Sequence, residues 1–138
     1  MDPREHLEAI RRLAEADSRY APEAFFFVSE AVGQTAQWIQ DKVLPEENAG
    51  PRSEDGADRF HVSGQELLAG IRKLARDRWG MLAPRVLGRW GVRRTEDFGE
   101  IVFLMVGDEA LAWKSRECDR REDFANGFDF RTAFEGVD

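Results

Sequence analysis

With one cysteine, Cys118, the chain can form no intramolecular disulfide, and its fold must stand on its own core. Such usage fits a reducing cytoplasm. Histidine is nearly as scarce, with His6 and His61 alone. A zinc site needs three or four His, Cys or carboxylate ligands at close spacing, and these three residues are far apart. No EF-hand spacing appears among the carboxylates, although a carboxylate-only Mg²⁺ or Ca²⁺ site stays open. Long apolar runs are also missing. The longest, Ile101 to Val106, is six residues, against the ~20 that span a bilayer. The first residues, Met1 to Leu7, lack the apolar stretch of a signal peptide. A soluble cytoplasmic protein with no membrane association is expected.

Catalytic signatures are absent as well. The sequence holds no G-x-G-x-x-G, no Walker lysine pattern and no G-x-S-x-G. Cys118 and His61 are the one conceivable thiol–imidazole pair. Nearby arginines in S-R-E-C-D-R-R would lower a thiol pKa, yet an incidental surface thiol is the simpler reading. Glu96, Asp97 and Glu100 gather at a helix start, which capping already explains. No catalytic, cofactor or metal residues are assigned, and a non-enzyme is expected.

What the chain has is apolar and aromatic bulk. Of 138 residues 42% are hydrophobic, with four Trp and ten Phe, enough for an ordered core in one domain or a domain with a helical extension. The net charge of -7 is unevenly spread. Residues 1–59 carry 7 Lys/Arg against 13 Asp/Glu (-6), residues 60–94 carry 8 against 2 (+6), and residues 95–138 carry 5 against 12 (-7). Either the basic middle packs near the acidic ends, or it forms a face for an acidic partner.

Asp2, Pro3 and Glu5 read as a helix start, and Leu7, Ile10 and Leu13 give a narrow stripe to about Asp17. Tyr20-Ala21-Pro22 interrupts it. Phe25, Val28, Val32, Ala36, Ile39 and Val43 then mark a second helix over 22–43. Phe26 and Phe27 fall off that stripe, either as further core or as an exposed aromatic patch. Residues 1–45 are thus an N-terminal helical pair, and 46–59 an acidic Pro/Gly linker or loop.

Residues 60–138 begin with a short strand at Phe60 to Val62. Ser63 and Glu66 form a capping box, and Leu67, Leu68, Ile71, Leu74 and Ala75 share one face of a helix ending at Gly80. Arg72, Lys73 and Arg76 lie opposite. A short helix from Pro84 reaches Trp90, with Gly91 as its end signal and Arg85 and Arg89 one turn apart. Thr95 caps the next element. I-V-F-L-M-V alone fits a buried strand equally, but the signals on both sides favour a helix, around which the chain is expected to be organised. Ala110 to Lys114 alternates as a strand, 115–122 as a charged loop. Asp123-Phe124 and Phe128-Asp129-Phe130 flank Asn126-Gly127 as a hairpin, before a last helical turn over 131–134.

The order helix, helix, helix, strand, loop, strand over 63–130 resembles a winged helix–turn–helix domain, so the expected class is α+β, mostly helical, with a winged-helix-like domain and a small β-hairpin. A second resemblance rests on Pro22-Glu23-Ala24-Phe25, His61-Val62-Ser63-Gly64-Gln65-Glu66-Leu67-Leu68 and Thr95-Glu96-Asp97-Phe98-Gly99-Glu100-Ile101-Val102-Phe103. Arg121-Glu122-Asp123-Phe124 and Phe128-Asp129-Phe130 complete it. With these, residues 20–135 resemble a small family of conserved hypothetical bacterial proteins restricted to planctomycetes and verrucomicrobia. That family has no assigned activity, so the resemblance implies no chemistry and carries over no functional residue.

Winged helices often place a third helix in the major groove. Here residues 95–107 hold three acids and no base, and Lys114 to Phe130 carries four bases against five acids. Phosphate would be repelled there. The remaining candidate surface is Arg72, Lys73, Arg76, Arg85, Arg89, Arg93 and Arg94, suited to an acidic protein or a phosphate backbone. The expected function is a non-enzymatic interaction or adaptor module for an unknown partner. A nucleic-acid-associated protein using residues 72–94 is the second reading, and a small enzyme a distant third.

Overall fold

The computed structural model describes residues 3–45, 64–106 and 127–134. Their elements are α1 (Pro3–Ala16), α2 (Pro22–Gln40), α3 (Gly64–Trp79), a 3-10 turn (Gly80–Leu82), α4 (Ala83–Arg89), α5 (Thr95–Val106) and α6 (Phe130–Ala133). Pro22 opens α2, where a missing N–H costs nothing. Its Ala24, Phe25, Val28, Ala31, Thr35 and Ala36 turn inward. They meet Leu67, Leu68, Ile71, Leu74 and Ala75 of α3, the stripe that the sequence marks. Ile10 of α1, Leu87 of α4, Phe98, Ile101 and Met105 of α5, and Phe134 complete one apolar cluster.

The hub is α2, which packs against α1, α3 and α5. The expectation that α5 organises the chain is therefore corrected: α5 is one of three helices packed on α2. Phe98, Ile101, Val102 and Met105 of α5 are buried, but Phe103 and Leu104 are half-buried, so its apolar surround is not fully covered. Where α2 crosses α3, Gly70 lies against Thr35 so closely that a Cβ on Gly70 would overlap the threonine side chain. The Thr35 hydroxyl is buried there with no hydrogen-bond partner, a cost accepted for the close approach.

The α+β class does not hold. Helix takes up 79% of the described residues and none of them is in a strand. The strands expected at 60–62, 110–114 and 123–124 lie outside the described residues. Phe128 to Phe130, expected as the second strand of the hairpin, is described, and Phe130 instead begins α6. Aromatic packing explains the outcome. Phe128 stacks on Phe130 with centroids 5.5 Å apart, and Phe134, one helical turn beyond Phe130, meets both edge-on at 6.0 and 6.2 Å. Phe130 also meets Phe98 at 6.0 Å. Gathering these rings against α5 favours a helical turn over an extended chain, so local alternation is overridden by tertiary contact. The winged-helix-like reading loses the wing strand it relied on.

Two corners lock together beside this core. The Ala21 N–H donates to the Trp90 carbonyl at 3.0 Å. The Tyr20 hydroxyl donates to Asp97 Oδ1 at 2.7 Å. Asp97 Oδ2 accepts from the backbone N–H groups of Arg93 and Arg94 at 2.9 and 3.3 Å. So Asp97, reaching back one turn, caps α5. Thr95, expected as the cap, is the first helical residue, and its Oγ1 accepts from the Gly127 N–H at 3.0 Å.

Candidate functional site

The basic residues of α3 and α4 divide into those the molecule occupies and those it leaves open. Arg72 reaches toward α6, its Nε and Nη2 donating to the Ala133 carbonyl at 3.3 and 3.2 Å. Lys73 leans to the other side of α3, pairing with Asp77 at 3.2 Å and lying 5.1 Å over the Trp38 ring of α2. Arg78, which the sequence did not single out, pairs with Glu30 of α2. These contacts follow from the neighbours of α3: a helix with α2 on one flank and α6 on another spends its flanking cations on them. At exposed positions each such pair is worth well under about 1 kcal/mol.

Arg85, Arg89, Arg93 and Arg94 are exposed, and Arg76 is half-buried. None of the five pairs with an acidic side chain among the described residues, unlike Arg19, Lys73 and Arg78. Arg93 and Arg94 engage Asp97 through their backbones. The seven candidates therefore do not form one uniform face. The available charge is concentrated on α4 and the turn that follows it.

The turn between α3 and α4 adds a feature the charge count missed. Met81 and Leu82 are 64% and 59% exposed, the largest exposures among the bulky apolar residues described. Beneath them Ala83 and Leu87 are buried and hold α4 down. Phe27, Trp79 and Trp90 form a three-ring cluster there, with centroids 5.2, 5.9 and 5.4 Å apart. Phe27 is buried and Phe26 half-buried, so the pair joins the core rather than forming an exposed patch. One signal for Met81 and Leu82 was present: an apolar pair directly after Gly80, off the buried stripe of either helix.

Set against family models, curated proteins and solved structures, the chain has no match. The site must therefore be read from its own chemistry. His61 and Cys118 lie outside the described residues, as does the segment 46–59. Among the described residues no group of three or more His, Cys, Asp or Glu could hold a metal ion. No helix there is long and apolar enough to cross a membrane.

The second polar cluster is Tyr20 with Asp97, Arg19 and Asp17. Burial, and then the hydrogen bond to Asp97, push the Tyr20 phenol well above its ordinary value. Hydrogen bonds from Arg19, at 2.6 Å from Asp17 Oδ2, hold the Asp17 carboxyl below its ordinary value. Arg19 also approaches Glu100 at 3.7 Å and lies 5.1 Å over the Tyr20 ring. A phenol held neutral between helix corners is a structural tie: it joins the α1–α2 and α4–α5 corners.

Proposed function

We propose that the chain is a non-enzymatic interaction module that takes an acidic protein partner on the arginines of α4 and of the turn after it. One observation carries this reading. Arg85, Arg89, Arg93 and Arg94 are all exposed, and no described acidic side chain pairs with them. Cations placed this way steer an acidic partner and set its register, more than they add raw affinity. The partner is a protein segment rather than a nucleic acid on grounds of range. The whole chain carries -7, and an extended polyanion meets that field over its length, whereas a short acidic segment senses charges within roughly one Debye length, about 8 Å at physiological salt.

The test is a titration of the full chain with an acidic peptide, a duplex DNA and a structured RNA, each at two salt concentrations. The expected result is peptide binding that Arg85→Glu with Arg89→Glu weakens at least about tenfold, one unit of 1.4 kcal/mol. Peptide binding indifferent to that reversal sinks the reading. DNA or RNA bound more tightly than the peptide, with a steep salt slope, replaces it with the nucleic-acid reading.

A further inference from the structure

We propose that Met81 and Leu82 are the anchor of this surface, seating a bulky apolar side chain of an acidic helical segment whose carboxylates meet Arg85 and Arg89. The inference rests on the interaction reading above and gives its partner a chemistry. Two bulky apolar side chains at adjacent positions are both more than half exposed. Among the described residues the other exposed ones, Leu7 and Val43, stand singly on α1 and beyond the end of α2. Exposed apolar groups beside cations are how a binding surface differs from an ordinary charged one.

The placement is held rather than loose. Gly80, at φ 55°, ends α3 and turns the chain into the 3-10 turn. Trp79 precedes that turn and Trp90 follows α4, and their rings meet Phe27 and each other. An anchor on a supported turn loses little freedom on binding, which favours affinity.

Spacing supplies the partner's shape. The 3-10 turn runs directly into α4, so Leu82, Arg85 and Arg89 follow at three and four residues and line one side. All three are exposed, while Ala83 and Leu87 occupy the opposite, buried side. From Leu82 to Arg89 the stripe runs roughly 10 Å at 1.5 Å per residue, about two turns of a facing helix. Carboxylates one turn apart on that helix match Arg85 and Arg89, also one turn apart. Gly88 lies between these arginines in sequence, and a Cβ added there would meet nothing within 4 Å. The molecule's own packing does not require this glycine, and its bareness lets a partner come close. Helix-in-groove recognition reads such three- and four-residue patterns of apolar anchors and charges.

The experiment uses the full chain and two synthetic helical peptides. Both carry glutamates one turn apart; one has a central Leu-Phe pair, and in the other that pair is Ala-Ala. The expected result is at least about tenfold tighter binding of the Leu-Phe peptide, an advantage lost in Met81→Ser with Leu82→Ser. Because both side chains are exposed, that variant keeps its core, and an unchanged thermal midpoint verifies it. Gly88→Gln is expected to weaken the Leu-Phe peptide without lowering the midpoint. Equal binding of the two peptides, both weakened by Arg85→Glu with Arg89→Glu, overturns the anchor and leaves the acidic-partner reading standing. Peptide binding indifferent to the arginine reversal overturns both. Binding to phosphatidylserine vesicles that depends on Met81 and Leu82, with neither peptide bound, assigns the tip to a lipid surface and overturns the proposal. Undiminished binding by Gly88→Gln moves the docking off this face and does the same.

Discussion

Helices α2 and α4 end in the same backbone motif with opposite chemistry. At the end of α2 the Val43 N–H donates to the Trp38 carbonyl at 2.8 Å and the Lys42 N–H to Ile39 at 3.1 Å. At the end of α4 the Val92 N–H donates to Leu87 at 2.9 Å and the Gly91 N–H to Gly88 at 3.1 Å. Each closes a Schellman pattern with its turning residue at positive φ, Lys42 at 62° and Gly91 at 90°. A lysine tolerates that conformation only at a cost; glycine does not feel it. The residue that follows differs as sharply, since Val43 is 53% exposed and Val92 fully buried. The α4 end is pressed into the corner of α1 and α2, and the α2 end points outward. A motif shared by sequence-local bonds thus becomes structural only where a second element lies against it.

Substitutions can break this contrast. Gly91→Ala has the largest expected effect, because a Cβ there is strained at φ 90° and would overlap the Arg19 carbonyl. Strain and overpacking together cost about 2–4 kcal/mol, readable as a lower denaturant midpoint at unchanged slope; a loss under about 1 kcal/mol would show the corner to be pliable. Val92→Ala is expected to lose about 2 kcal/mol, and Val43→Ala under about 0.5 kcal/mol, so equal losses would erase the distinction. Lys42→Gly has the opposite sign, a gain of about 1 kcal/mol from relieving the left-handed backbone. A loss there would mean that the flexibility glycine adds to the unfolded chain outweighs the strain relieved.

These positions also show what the sequence discloses. Pro22, the stripe of α3 and Gly91 announce themselves, because proline, helical periodicity and glycine act within a turn of the chain. Lys42 does not, since nothing in its side chain signals a positive φ, and α2 ends at Gln40 rather than near Val43. Phe128 to Phe130 alternates like a strand, and only its contact with Phe98 and Phe134 makes it the start of a helix. The candidate surface was legible to the same degree. Periodicity places Arg72 and Lys73 away from the buried stripe of α3. It does not disclose that α6 and α2 flank that helix and engage them. The exposure of Met81 and Leu82 is not legible in the sequence, because an apolar side chain carries the same signal whether it is core or surface.

The corner at Gly91 bears on the order of folding. Tyr20 and Asp97 are 77 residues apart in sequence. Closing so long a loop costs chain entropy before the hydrogen bond returns anything, by a term that grows with the logarithm of loop length. Thr35 and Gly70, at the α2–α3 crossing, span less than half that separation. The crossing is therefore expected to form first and the corner to close late, on the native side of the transition state. Changes at Tyr20 or Gly91 would then speed unfolding while leaving refolding nearly unaltered, which the two arms of a chevron plot distinguish. In kinetic terms the corner acts as a latch, setting how long the folded state lasts rather than how fast it is reached.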